Sequence, residues 1–479
     1  MTATLTDAGQ QRKARPTLMI AVMTVAALMD MLDVTVVNVA LPPLRHRLHA
    51  GPTQLEWLIA GYLLAFGATL LLWGRLGDVL GRRRVFLCAV AGFGAASLGA
   101  GLSSSIGVLI AFRVVQGAAA GALVPQVLAS FRTHLDHQKR VMAFGVYGAV
   151  AGLAAAAGVV LGAVLTQYSL FGLGWRAIFL VNVPVAAVVL IVGVVAVPES
   201  RPELRRALDP LAMVLVPLSL SAIVYALLEG RTQHWTWWIE ALIVVGLVGL
   251  AATVVLDRGH ARAGGAPLLD VTQFRSRAFA AGVGVQALFS AALQGFSLAY
   301  VLWLQVGHGY SPVRTGLTLL AFSAGAIVTA PMAGQLAESR GRRVLALGAG
   351  LLVAGICVVG IPAWAGSGHA DLWAALSGLF VAGAGLGLLV VPLVNVVLVA
   401  VPASAAGGAS GTFSTAQQLG GALGIAVLGS VFFGADPKAH LNGSFSAVLP
   451  WVAVAFAAAG LLSLLLPDSA LSEEQMVDV

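Results

Sequence analysis

Residues 74–84 read Gly-Arg-Leu-Gly-Asp-Val-Leu-Gly-Arg-Arg-Arg. One acid and four arginines stand here between two long apolar runs, in a chain that is 59% hydrophobic and only 10% charged. A near copy, Gly-Gln-Leu-Ala-Glu-Ser-Arg-Gly-Arg-Arg, occupies 334–343. Aligning Gly74 with Gly334 puts Asp78 on Glu338 and Gly81-Arg82-Arg83 on Gly341-Arg342-Arg343, at a constant offset of 260 residues. The arginines suit a loop on the positively charged side of a membrane. The glycines permit close approach or backbone angles closed to other residues. The acid, set against a helix N-terminus or an arginine, can latch one conformation.

The composition says what surrounds that loop. A soluble chain carries roughly a quarter charged residues; this one, with a mean hydropathy of +0.93, has lipid as its main solvent. Many of the 57 glycines lie inside apolar runs, where they let membrane helices pack closely. The net charge of +7 belongs to loops that orient a membrane protein, so nucleic acid is not an expected partner. The two cysteines, Cys88 and Cys357, both lie in apolar runs and give no disulfide or metal pattern. The polar, basic start of the chain lacks a signal-peptide cleavage pattern, so the first apolar run is expected to stay as a helix. The sequon Asn442-Gly443-Ser444 is read as chance.

Runs of about 20 apolar residues can cross a bilayer as helices. Fourteen are predicted, at about 17–41, 55–76, 84–103, 106–129, 141–166, 175–197, 208–228, 236–257, 277–303, 315–337, 343–364, 372–397, 408–433 and 446–467. An even count puts both termini on one side. With the termini in the cytoplasm, twenty Lys and Arg fall inside and six outside, with Arg113 left in the membrane. The repeated loop then joins helices 2 and 3, and again helices 10 and 11. Six-helix halves separated by two extra helices explain the spacing, with a substrate site between the halves near the midplane. The expected organisation is a six-helix bundle over 1–200, two extra helices over 201–262, a second six-helix bundle over 263–470 and an acidic cytoplasmic tail over 471–479.

The stretch 74–84 resembles a signature of the major facilitator superfamily, Gly-x-Leu-small-Asp-x-x-Gly-Arg-Arg. Other stretches are similar to its fourteen-helix drug:proton antiporter branch: LDVTVVNVALP at 32–42, WLIAGYLLAFG at 57–67, RVVQGAAAGA at 113–122, GWRAIFLVNVPVA at 174–186 and QQLGGALGIAVLGSVF at 417–432. The resemblance covers nearly the whole chain. It implies an all-α integral membrane protein with the major facilitator fold, fourteen transmembrane helices, and Gly74, Asp78, Gly81, Arg82, Arg83, Gly334, Glu338, Gly341 and Arg342 as a conformational latch. Helix 5 resembles the family's antiporter motif, Gly-Pro-x-Leu-Gly-Gly. Here it reads Gly158-Val159-Val160-Leu161-Gly162-Ala163, so valine replaces the proline and alanine the last glycine. The missing proline removes the reason for a kink and weakens the inference of export over uptake. With Gly148 and Gly152, Gly158 and Gly162 form a close-packing surface.

Ionisable groups within spans are costly and mark function. Asp30 and Asp33 are spaced i,i+3 on one face of helix 1, and Arg113 lies in helix 4. Counted at about 1.5 Å per residue, Asp33 and Arg113 both lie roughly 10–13 Å below the outer boundary. This matched depth favours Asp33 as proton carrier, its titration biased by Arg113; a static ion pair clasping helices 1 and 4 is the alternative. Asp30 is either an alternative carrier or a cation-attracting group. Glu56 and Glu229, near the outer ends of helices 2 and 7, are read as solvated. Asn38, Gln116, Gln294, Phe296, Asn395 and Gln417 are candidates for a substrate cavity, each also explicable as packing. All nine histidines fall in predicted loops or at helix ends, which argues against a histidine relay.

No Walker P-loop is present, so no nucleotide or other cofactor is expected and an ion gradient is the energy source. One charge crossing about 100 mV releases ~2.3 kcal/mol, enough for a gradient of roughly fiftyfold. The expected function is proton-driven export of amphipathic, often cationic, drugs or antibiotics by a monomer. The alternative is a dedicated exporter or importer of one metabolite or lipid. A membrane enzyme or sensor lacks any supporting motif, whether Gly-x-Ser-x-Gly, His-Glu-x-x-His or Cys-x-x-Cys. Arginine outnumbers lysine 24 to 3, which fits a GC-rich bacterial genome and hence the cytoplasmic membrane.

Overall fold

In hydrocarbon the backbone has no water to bond, so each apolar run must close its hydrogen bonds within itself as a helix. The computed structural model describes residues 16–168, 172–199, 210–262, 271–365, 371–399, 406–434 and 441–466, and all regular structure among them is helical. Fourteen helices follow one another: α1 Pro16–Leu48, α2 Pro52–Leu80, α3 Arg82–Leu102, α4 Ile106–His134, α5 His137–Gln167, α6 Gly174–Ala196, α7 Pro210–Glu229, α8 Trp237–Arg262, α9 Arg277–Leu302, α10 Pro312–Arg340, α11 Arg342–Trp364, α12 Leu372–Val399, α13 Ala406–Gly434 and α14 Leu441–Ser463. Thirteen are long and apolar enough over their described residues to cross a membrane; α5 is a 31-residue helix whose described apolar stretch is Ala157–Gln167.

The even count returns the chain to the face it started from, here termed the terminal face. Arg342, opening α11, donates to Leu464 O just beyond α14 at 2.7 Å on that face. The opposite one is the far face. Gly81 and Gly341, the two glycines that join α2 to α3 and α10 to α11, have φ of +101° and +55°. Side chains disfavour that region, which is why both copies of the repeated loop carry glycine there.

The packing repeats as well. In the first half α1 packs on α5 and α6, α4 on α2 and α3, and α3 on α6. In the second half α9 packs on α13 and α14, α12 on α10 and α11, and α11 on α14. Every helix k of the first set corresponds to helix k+8 of the second. The halves meet through α2 with α13 and α5 with α10, two contacts that exchange under the same relation. Helices α7 and α8 pack on each other, and α7 rests against both α2 and α13. In α2, 78% of the most apolar stretch is buried, against 17% in α8. Thus α2 is central, and α8 presents most of its surface outward, the arrangement lipid requires of a peripheral span.

The structure corrects the expected end of α1. Pro42-Pro43 reads as a stop signal, yet the helix continues to Leu48. Proline at 43 supplies no N–H for the carbonyl four residues earlier, which is Val39. That carbonyl accepts instead from Gln305 Nε2 of the other half at 3.1 Å. Gln305 lies in a π-helical turn, Trp303–Gly307, that extends α9. Together with Gln167 Oε1 accepting from Val313 N at 3.3 Å, this contact closes the halves against each other at the far face.

Candidate functional site

Helix α1 carries Asp30 and Asp33 into the first half with only 4% and 2% of their surface exposed. Such carboxylates need donors. Asp33 has three: Arg113 of α4 at Oδ2, and Gln116 Nε2 and Asn182 Nδ2 at Oδ1, each amide at 2.9 Å. Gln116, one turn beyond Arg113, accepts from its guanidinium at 2.8 Å and donates to Ser97 Oγ of α3 at 2.8 Å. The Arg113 Nε donates to Leu58 O of α2 at 3.3 Å. Its guanidinium carbon also stands 4.1 Å from the centroid of the Tyr62 ring, a cation–π contact. The Tyr62 hydroxyl donates to Asp30 Oδ1. Five helices, α1, α2, α3, α4 and α6, therefore converge on one buried polar centre.

Asp33 and Arg113, matched by depth in the sequence, are directly paired. Asp33 faces a cation and two amides, and Asp30 faces a phenol. The two carboxylates thus sit in different electrostatic settings although they share a helix face. Tyr62, Ser97 and Asn182 were not singled out from the sequence. Tyr62 and Asn182 both lie in stretches that carried the family resemblance, but an uncharged polar residue in an apolar run gives little signal. Asn182→Ala is expected to lower stability by about 1.5–3 kcal/mol, the usual worth of a hydrogen bond to a charged group. The detergent melting temperature checks this; an unchanged midpoint would refute the role.

The remaining candidates are dispersed. Asn38 is buried in α1, and Gln417 is exposed on α13. A Cβ on Gly421 of α13 would lie 3.1 Å from the half-buried Gln294 Cγ. Phe296 stacks on Tyr300 with centroids 5.4 Å apart and also packs against Phe445. A Cβ on Gly74 would lie 3.7 Å from Pro125 of α4. Of the repeated loops, Arg82 donates to Thr133 Oγ1 at 3.0 Å and Ala129 O at 3.4 Å near the end of α4, and Arg83 donates to Val194 O near the end of α6. Cations there complement the negative ends of helix dipoles. Gly158 and Gly162 face Thr35 and Val36 of α1. Helix α5 runs unbroken past Val159, as the missing proline implies. For Asp78, Gly334, Glu338, Gly148, Gly152 and Asn395 the structure describes the helical backbone alone.

Glu56 departs from expectation. It is not solvated but fully buried, with neither carboxylate oxygen hydrogen-bonded. Glu229 is half-buried and accepts from Trp57 Nε1 at 3.0 Å.

The family model described as Major Facilitator Superfamily matches residues 23–425. The puromycin resistance protein pur8 of Streptomyces alboniger is 35% identical over 456 residues, 92% of this chain and 88% of that one. The tetracenomycin C resistance and export protein of Streptomyces glaucescens is 33% identical over 430 residues, covering 87% and 76%. The multidrug resistance protein Stp of Mycobacterium tuberculosis is 34% identical over 408 residues, covering 84% and 73%. Among solved structures, a D-xylose–proton symporter superposes with a TM-score of 0.65 at 15% identity, over 94% of this chain and 98% of that one, a likeness of fold alone. The two matched halves, the repeated loops and these relatives place the chain in the major facilitator superfamily.

Proposed function

We propose that the protein is a proton-driven exporter of amphipathic, often cationic, antibiotics or drugs. It works across a bacterial cytoplasmic membrane, with both termini in the cytoplasm and the far face outside. The observation that carries this reading is the buried Asp33–Arg113 pair. A carboxylate paired with a buried cation becomes free to take up a proton when the pair separates. Helices α1 and α4, which carry the two partners, belong to the half that must move against the other in alternating access. The names of the relatives support the substrate class, and the excess of basic residues at the terminal face supports the orientation. Energy comes from the proton gradient, with no cofactor; the chain acts as a monomer, with 1–200 as the coupling half and 263–470 as the wall for substrate.

The test is reconstitution in liposomes holding a pH-sensitive dye, with an imposed pH gradient and a panel of lipophilic cations and antibiotics. Substrate-triggered proton movement is the expected result. Transport that continues at the same rate after the proton gradient is collapsed would overturn the reading.

A further inference from the structure

Glu56 stands in the second turn of α2, at its far-face end. Its surface is 0% exposed, and neither carboxylate oxygen has a hydrogen-bond partner. Among the described residues no cation comes within ion-pair distance of it. The side chain lies against α13, where a Cβ built on Gly429 would fall 2.6 Å from its Oε1. The acid therefore fills the space that a missing side chain leaves on the other half of the molecule.

The charged groups that act on Glu56 come from the end of α7 and the turn that follows it, Glu229 and Arg231. Each is engaged elsewhere. Glu229 accepts from Trp57 Nε1 and from Thr232 Oγ1 at 2.8 Å. The Arg231 guanidinium lies 5.4 Å from the centroid of the Phe433 ring of α13. One acid is thus enclosed by α2 from one half, α13 from the other, and the end of α7, whose Glu229 meets α2, with the turn that follows, whose Arg231 meets α13.

An ionised carboxylate buried without donor or cation costs several kcal/mol, whereas the neutral acid costs far less. We propose that Glu56 is a second proton-binding residue, protonated while α2 and α13 are closed at the far face and ionised when they part. Parting the helices admits water to the carboxylate and frees Arg231 to pair with it; closing them again requires a proton. Its place in the transport cycle rests on the proton-driven reading above, but the link between protonation and closure does not. Because the closed state binds a proton that the open state releases, acid favours closure and alkali favours opening. One proton shifts the closed-to-open ratio by up to about tenfold per pH unit.

The test places spin labels at Gln54→Cys on α2 and Gly434→Cys on α13, with Cys88 and Cys357 replaced by serine, in the full chain in liposomes without substrate. The short-distance fraction is expected to rise as pH falls. In Glu56→Gln, which mimics the neutral acid, and in Glu56→Ala, that response should be flat. A response that both variants keep, or none in the parent, overturns the proposal. Dye-reported proton movement in the same liposomes separates the two readings. No substrate-driven movement in the parent sinks the proton-driven reading and leaves the closure titration standing. Movement with an unchanged proton-to-substrate ratio in Glu56→Gln removes Glu56 from coupling.

Discussion

Asp33→Asn is expected to stop substrate-driven proton movement and to destabilise the protein by roughly 3–5 kcal/mol, the cost of removing one partner from a buried ion pair. The geometry explains both. Asparagine has the same shape, but it leaves Arg113 as an uncompensated cation with 1% of its surface exposed. Asparagine also has one acceptor oxygen where three donors, Arg113, Gln116 and Asn182, now converge. A double variant separates the two effects. Asp33→Asn with Arg113→Met removes both charges, and replacing a buried pair by apolar groups is often neutral. Melting temperature should therefore return most of the way to the parent, while proton movement stays absent. If the pair were only a clasp between α1 and α4, the double variant would regain transport along with stability. Melting in detergent and dye quenching in liposomes, run on the same three preparations, decide between them.

How much of this was legible in the sequence differs from residue to residue, for physical reasons. Span number and the two-half plan follow from apolar run lengths and from a loop repeated 260 residues apart, because lipid enforces both helix formation and charge placement. The Asp33–Arg113 pair was accessible because charges in apolar runs are rare and depth along a helix can be counted. Ser97, Tyr62 and Asn182 complete the same centre but were not, since hydroxyls and amides carry a much smaller penalty than charges and reach the pair from three further helices, α3, α2 and α6. Position near a helix end misled twice. Glu56 looks wet by its place in α2, but Gly429 of α13 covers it, and no local pattern announces a lid supplied by the other half. Pro42-Pro43 looks like a terminus, but Gln305 takes the carbonyl that Pro43 frees. Both errors concern contacts between halves, the part of the structure least determined by local sequence.

Packing on both of its sides makes α5 the helix where a small change should matter most. Gly158 and Gly162 sit directly on α1 at Thr35 and Val36, two and three residues beyond Asp33. A Cβ on Gly158 would overlap Thr35 Oγ1, and one on Gly162 would lie 2.8 Å from Val36 O and 2.9 Å from Val36 Cα. Thr35 is itself tied across the interface, with its hydroxyl 3.5 Å from Ala154 O. On its other side α5 meets the second half, where a Cβ on Gly316 of α10 would be 3.2 Å from Val159 O. The helix is therefore a spacer between α1 and α10, and it cannot retreat from one without pressing on the other. At Gly158 a threonine hydroxyl can yield by rotation, whereas at Gly162 the obstacle is backbone. Gly162→Ala is accordingly expected to be the more damaging change, at about 1–3 kcal/mol of overpacking. That strain falls on the arrangement closed at the far face, where each 1.4 kcal/mol moves the balance of states about tenfold, so transport should drop by roughly fivefold to a hundredfold. Gly145→Ala is the control. It lies on the same helix with nothing within 4 Å of the added carbon, and alanine's helix propensity favours it by up to ~1 kcal/mol. Initial transport rates and melting temperatures of the three variants test the ordering. Equal losses at 145 and 162 would show that glycine content, not contact with α1, sets the effect. A Gly162→Ala protein that melts lower yet transports at the parental rate would show that α5 holds the fold without governing how the halves move.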